Sequence, residues 1–445
     1  MNEARGRRGH GRAPVPSPIS PTAEPASASA TTDAMVESRL DNGIRVLSEK
    51  IPGVRSAAVG VWIRQGAAHE TAVQTGVSHL LEHMVFKGTA KRSALEIADA
   101  LEGLGGSLDA YTSREHTSYQ ARVLDEHLPE ALDVLADLVL APRLDDADLA
   151  LEREVVLEEI AQVEDTPDDL VFELHGHRLW GEHSYGRSIL GTNDSVTSMP
   201  RDTLRAIHSD RYVGDNLVVA AAGNVDHDDF VDRVEGLFGG LGRGARAAVV
   251  SAPPETTTGV EIVERPTAQT HIVFGTAAPG HSHEDRYALI LLSSALGGGM
   301  SSRLFQRVRE ELGLCYSVFT YQNFFGVAGV TGVYVGTRPG TAEQAAAAVR
   351  EEMTRVATEG LSASDLDRIK RQLKGQVMLS LESTGSRLYR LASFALHEEP
   401  FRGLDDVLER IDSVSEADIR RVGERFFDPT RHLELRLGPA DSRDA

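Results

Sequence analysis

His79, Glu82 and His83 lie within residues 75–89, TGVSHLLEHMVFKGT. Two histidines four apart on a helix project from one face, one turn from each other, which is the separation at which two imidazoles share one ion. Glu82, just before the second histidine, shares that face and is placed to take a proton from a bound water. Two histidines one turn apart also occur as an ordinary hydrogen-bonded polar face, so a third donor decides between the readings. A hydrolytic zinc takes three protein ligands and one water, and the third ligand should be a carboxylate from a second element. Residues 148–163, DLALEREVVLEEIAQV, offer Glu152, Glu154, Glu158 and Glu159. On a helical wheel Glu152 and Glu159 border the apolar stripe of Leu149, Val156, Ile160 and Val163, while Glu154 and Glu158 point away.

The elements that must position these side chains recur along the chain. Residues 197–223 run from helical spacing into an apolar strand, and residues 412–438 do so again. Met199 pairs with Val414, Leu204 with Ile419 and Tyr212 with Phe427, without gaps. The segment beginning at Asp148 matches the one beginning at Asp365 in its opening Asp-Leu and its apolar spacing. Each half reads as strand, helix, strands, long helices and a final strand. The expected fold is therefore an α+β duplication, mainly antiparallel sheet with helices packed on it. Its parts are a disordered tail over 1–35, a metal-binding domain over 36–241, a linker over 242–258, a homologous domain without metal over 259–440, and a tail over 441–445. The second repeat holds Gln376 where the first holds Glu159 and has no His-x-x-Glu-His, so only the first half can build the metal site.

Lys+Arg 46 against Asp+Glu 67 leaves a net charge of −21. That charge repels phosphate backbones and anionic lipid, so nucleic-acid and membrane partners are excluded, whereas a cationic peptide is favoured. No uncharged apolar run is long enough to span a bilayer. The single Cys315 cannot form an intramolecular disulfide, as expected in a reducing compartment. The first 35 residues combine arginines with prolines and with Glu3, Glu24 and Asp33, a poor match to a mitochondrial presequence. Only five of the 46 basic residues are lysine. These features fit a bacterial cytoplasmic protein better than one of the mitochondrial matrix. Gly297, Gly298 and Gly299 lack the Gly-Lys-Ser/Thr of a phosphate loop. His175 and His177, two apart on a helix, diverge and do not make a second metal site with His183.

With SHLLEHMVFKGT, DAYTSREHTSYQARV and HSYGRSILGT, the chain resembles the pitrilysin, insulysin and mitochondrial processing peptidase family of inverted zincins, in its short processing-peptidase-like branch. The resemblance spans roughly residues 36 to 438. It implies a zinc metalloendopeptidase that cuts peptides or unfolded polypeptide segments in a closed chamber, with one zinc per chain. By the resemblance His79, His83 and Glu159 are the zinc ligands, Glu82 is the base, and Glu152 is the acid that holds and polarises a ligand. Arg309 and Tyr316, seven apart in SSRLFQRVREELGLCYSV, match an Arg that holds a substrate carbonyl and a Tyr that donates to the oxyanion. Asp109, Ala110 and Tyr111 resemble an edge strand to which an extended peptide adds by backbone pairing. The short members pair two chains, each half of a clamshell, so a homodimer is expected. A non-catalytic scaffold, or the β-type subunit of a mitochondrial heterodimer, is the alternative; scaffold relatives typically lack part of the metal array that this chain keeps.

Overall fold

The computed structural model describes residues 35–254 and 256–440, so the two expected tails lie outside the described residues except for Met35, which opens the first strand. In the first repeat β1 (Met35–Arg39), β2 (Arg45–Lys50) and β3 (Ser56–Ile63) precede α1 (Val77–Val85) and α2 (Ala94–Glu102). The hairpin β4 (Ser107–Thr112) and β5 (Thr117–Leu124) leads to α3 (Leu128–Leu140), α4 (Asp146–Asp165) and α5 (Pro167–Trp180). Then come α6 (Asn193–Ser198), α7 (Arg201–Arg211), β6 (Leu217–Gly223) and α8 (His227–Phe238). The second repeat runs β7 (Gly259–Glu264), β8 (Thr270–Pro279), α9 (Arg286–Gly297), a π-helical stretch at Phe305–Glu311, β9 (Cys315–Phe324) and β10 (Ala328–Thr337). It ends with α10 (Ala342–Glu359), α11 (Ala363–Ser380), α12 (Thr384–Leu396), α13 (Leu404–Ser413), α14 (Glu416–Phe426) and β11 (Leu433–Gly438).

The duplication is visible in the strand order. One sheet runs β1-β2-β6-β3-β5-β4 and the other β7-β11-β8-β10-β9, so the second repeats the first without its outermost strand. In each, one parallel pair (β2 with β6, β7 with β11) adjoins a run of antiparallel pairs. This is the expected mainly antiparallel α+β repeat. Between Phe238 and Gly259 the described residues form no helix or strand, and Asn216 holds this segment to the first repeat through Ala245 and Ala247.

β6, LVVAAAG, is apolar on both faces because both are covered. Val219 and Ala221 face the first repeat's own helices. Val218, Ala220 and Ala222 face Leu388, Leu391, Ala392 and Ala395 of α12, a helix of the second repeat. The exchange is mutual: Leu170 and Val171 of α5 pack on Val273, Tyr334, Leu435 and Leu437 of the second sheet. Thr166 and Pro167 set up this crossing, because proline ends α4 and opens α5 at a position where its missing N–H costs nothing.

The two hairpin turns of the repeats meet at the crossing, where Gly326 donates its N–H to Glu115 at 2.8 Å. Beside them lie His69, His116 and His397 with Arg64, Arg246 and Glu398. Burial, reinforced by Arg211 and Arg64 respectively, lowers His69 and His116 to about 4. Burial and the stacked His281 ring, 3.8 Å away, lower His397 to about 3. Because the folded pKa values lie below the unfolded value of 6.5, the unfolded chain binds more protons between pH 6.5 and about 4, and stability falls with pH across that window. The loss is about 1.4 kcal/mol per pH unit for each histidine. We therefore expect the melting temperature to fall by several degrees from pH 7.5 to 5.5, and by less in His397→Gln. A flat profile over that interval would mean that these rings charge without unfolding the junction.

Candidate metal centre

α1 is placed by its N-terminus. Gly76, its N-cap, has φ +92, and a Cβ there would meet the carbonyl oxygen of Leu190 at 2.7 Å, so no other residue fits. The carboxylate of Glu70 accepts from the N–H groups of Gly76 (2.7 Å) and Ser78 (2.8 Å), two of the helix's orphan donors. Burial raises the Glu70 pKa to about 7 against the pull of these amides. Leu80, Leu81, Met84 and Val85 are buried, which leaves His79, Glu82 and His83 on the opposite, half-buried face.

α4 crosses that face. Glu154 and Glu158 are exposed, Glu152 is buried, and Glu159 reaches the histidines. Nε2 of His79 lies 3.5 Å from one Glu159 oxygen and Nε2 of His83 lies 3.6 Å from the other. These separations are too long for direct hydrogen bonds. They are close to the edge, about 3.4 Å, of a tetrahedron whose metal–ligand arms are about 2.1 Å. Ligand atoms of His79, His83 and Glu159 all lie within 4.8 Å of one another, and no other such group of His, Cys, Asp or Glu occurs among the described residues. Two imidazole nitrogens and one carboxylate are a donor set suited to zinc, and burial, with His83 close by, lowers the His79 pKa to about 4.

The remaining groups lie close by. Nδ1 of His83 lies 3.1 Å from Glu152, whose other oxygen meets Nζ of Lys87 at 2.6 Å. Glu152 thus fixes the His83 ring so that Nε2 faces Glu159. Glu82 accepts a 2.6 Å hydrogen bond from the Thr112 hydroxyl, and burial raises its pKa. Asp109, Ala110 and Tyr111 lie on β4, which among the described residues pairs with β5 alone and so presents a free edge. Ala110, Tyr111 and Thr112 line a cleft of about 520 Å³ together with His79 and Glu82.

Arg309 and Tyr316 lie elsewhere in the second repeat. The Arg309 guanidinium sits 4.6 Å over the Tyr316 ring and donates to the Tyr316 carbonyl oxygen at 2.9 Å. The Tyr316 side chain is exposed, and no hydrogen bond, ion pair or ring contact among the described residues joins either to His79, Glu82, His83 or Glu159. His175 and His183 meet the carbonyl oxygens of Leu433 and Ser251. Sequence reasoning missed Glu70, Lys87 and Thr112. Lys87 stands four residues after His83, just past the end of α1; Glu70 and Thr112 come from further off and left no local signal.

Two family models match the chain in succession. Residues 45–193 match insulinase (peptidase family M16) and residues 198–373 match the peptidase M16 inactive domain. A zinc protease of Streptomyces coelicolor is 39% identical over 413 residues, 91% of this chain and 90% of its own length. The chain belongs to peptidase family M16. Another M16 relative, the zinc protease YmxG of Bacillus subtilis, is 40% identical over 394 residues, covering 88% of this chain and 96% of its own. The M16 fold is shared by a protease from Helicobacter pylori (TM-score 0.84, 22% identity, 92% of this chain and 100% of that one). An M16 inactive-domain structure from Pseudomonas fluorescens aligns with TM-score 0.86 at 21% identity, covering 92% and 98%. No described helix is long and apolar enough to cross a membrane.

Glu70 gives this site its first test. Glu70→Ala leaves two buried N–H groups at the start of α1 without an acceptor, and we expect a loss of about 2 to 4 kcal/mol in denaturant unfolding. Glu70→Gln, which keeps one carbonyl acceptor, should lose about half as much. Equal stability of all three proteins would show that α1 holds its place without this carboxylate.

Proposed function

We propose that this chain is a zinc-dependent endopeptidase acting on peptides or unfolded polypeptide segments, with one zinc per chain. The observation that carries the reading is the convergence of His79, His83 and Glu159 at tetrahedral-edge distances beside the buried, hydrogen-bonded Glu82. A zinc ion held there supplies a Lewis acid that polarises a carbonyl and acidifies water. Glu82, with its pKa raised by burial and its carboxylate aimed by Thr112, takes the proton of the attacking water and passes it to the leaving amine. An extended peptide pairs its backbone with the free edge of β4 at Asp109 to Tyr111, which brings its carbonyl to the cleft. Names of the relatives, zinc proteases of two bacteria, support the same chemistry.

The test is direct. Wild-type protein should bind about one zinc per chain and cleave an unfolded polypeptide. His79→Ala should lose the metal, because two ligands hold it far more weakly than three. Glu82→Gln should keep fold and zinc but cleave at least about a hundredfold more slowly. Full zinc in His79→Ala, or near-normal turnover in Glu82→Gln, would move the site elsewhere.

Arg309 and Tyr316 fit this function as groups supplied across a homodimer, in which each chain is half of a closed chamber and sets its Tyr316 hydroxyl against the oxyanion in its partner's cleft. The exposure of Tyr316 and its lack of contact with its own chain's cleft support this reading. Glu82→Gln and Tyr316→Phe chains, each nearly inactive alone, should then recover roughly a quarter of wild-type rate after subunit exchange, since about half the dimers are mixed and each has one competent site. Mixed dimers as inactive as both parents would confine the pair to its own chain or to no role.

A further inference from the structure

Of the two histidines that reach Glu159, His83 is held from behind and His79 is not. Glu152 meets Nδ1 of His83 at 3.1 Å, whereas among the described residues nothing hydrogen-bonds the buried Nδ1 of His79. Glu152 has one other polar partner among those residues, Nζ of Lys87 at 2.6 Å. Its side chain is 6% exposed, so these two contacts stand in for nearly all the water that the carboxylate has lost. Without the ammonium, one oxygen of a buried anion would be left unpaired, and a carboxylate that turns to find another donor lets the ring go.

Lys87 is itself fixed through its backbone. It lies in the turn just past α1, where its carbonyl oxygen accepts from the Arg143 guanidinium at 2.8 Å. The backbone N–H of Arg143 donates to the carbonyl oxygen of Gly88 at 3.0 Å. Gly88 has φ +128, and a Cβ there would collide with the Arg143 guanidinium, so the two segments pack in contact. Arg143 belongs to the connection between α3 and α4 and also pairs with Asp145 (3.6 Å) and Asp148 (4.0 Å) at the start of α4. The turn after α1 is thereby strapped to the helix that carries Glu152 and Glu159, and Lys87 reaches Glu152 from a fixed base.

We propose that Lys87 is a positioning residue for the metal: through Glu152 it holds the His83 ring with Nδ1–H on the carboxylate and Nε2 toward Glu159, and this strengthens zinc binding in spite of its charge. That charge is of the wrong sign for a metal site. A cation one carboxylate away from a ligand repels a divalent ion, and by Coulomb's law alone its removal would tighten binding. Position and charge therefore predict opposite outcomes for the same substitution. The inference rests on the zinc reading of the site.

Zinc affinity of the full-length protein, measured by competition with a chromophoric chelator, separates the two. Lys87→Met keeps most of the stem and removes the cation, and it should bind zinc about 10 to 100 times more weakly, the usual cost of losing a partner behind a metal ligand. In Glu152→Gln protein the same substitution should weaken binding no further, because Lys87 acts through that carboxylate. Melting curves of the metal-free proteins report the fold. A second reading comes from ¹⁵N spectra of the metal-free proteins, with His83 assigned through His83→Gln: its ring should be a single tautomer protonated at Nδ1 in wild type and a mixture in Lys87→Met. Equal or tighter zinc binding by folded Lys87→Met would overturn the proposal, as would a further loss in the Glu152→Gln background. So would a wild-type His83 protonated at Nε2, whether or not the variant folds. A wild type that binds no zinc, with His83 held at Nδ1–H and released in Lys87→Met, would instead sink the zinc reading and leave the hold of Lys87 on the ring standing.

Discussion

Each sheet in this chain has two apolar faces and helices of its own for only one of them. Burying the second face is worth about 25 cal/mol for every Å² of carbon removed from water, and neither repeat can do it alone. α5 and α12 therefore cross over, and much else follows from that exchange. α5 continues directly from α4 past Pro167, so the helix that carries Glu152 and Glu159 is anchored in the second repeat. The second repeat thereby braces the helix that carries Glu152 and Glu159. Phe172, on the cleft side of α5, stacks on Phe319 and Tyr334 of the second sheet, which ties one wall of the cleft to a strand more than a hundred residues away.

Within the site, a chain of short contacts controls where charge is allowed. Glu152 is buried yet meets Lys87 and His83, so a carboxylate that would be costly alone is balanced on one side and sets a ring on the other. Among the described residues no Lys or Arg pairs with Glu82, and burial pushes it toward the neutral form while the Thr112 hydroxyl and His83 favour the charged one. In the proposed role of base, Glu82 gains from such opposed pulls, because a base must both accept a proton and give it up.

What the sequence made legible was what depends on local periodicity. His79, Glu82 and His83 share a face because the helix repeats every 3.6 residues, and the same wheel separates Glu152 and Glu159 from Glu154 and Glu158. The duplication showed itself because its apolar spacing survives without gaps from Met199 to Tyr212 against Val414 to Phe427. Crossing helices did not show, since α5 scatters Leu170, Val171, Phe172, Leu174 and Leu179 around its circumference, and that pattern names no partner. Glu70 and Thr112 were silent for a related reason: one caps a helix from outside and the other reaches in from a strand, and only the folded chain brings them near. The stretch at Phe305–Glu311 is π-helical, one residue away from an α-helix in hydrogen-bond register, a difference that composition does not encode.

The crossing of α12 also has a consequence for the order in which the protein is made. Trp62, Val218 and Ala220, on the outer face of the first sheet, leave the ribosome long before Leu388 and Ala395, which cover them. At synthesis speeds of about 5 to 20 residues per second, the interval between β6 and the end of α12 lasts roughly 10 to 35 seconds. For that time a nascent sheet carries a bare apolar face, the kind of surface that holding chaperones recognise and that sticks to neighbouring nascent chains on a crowded polysome.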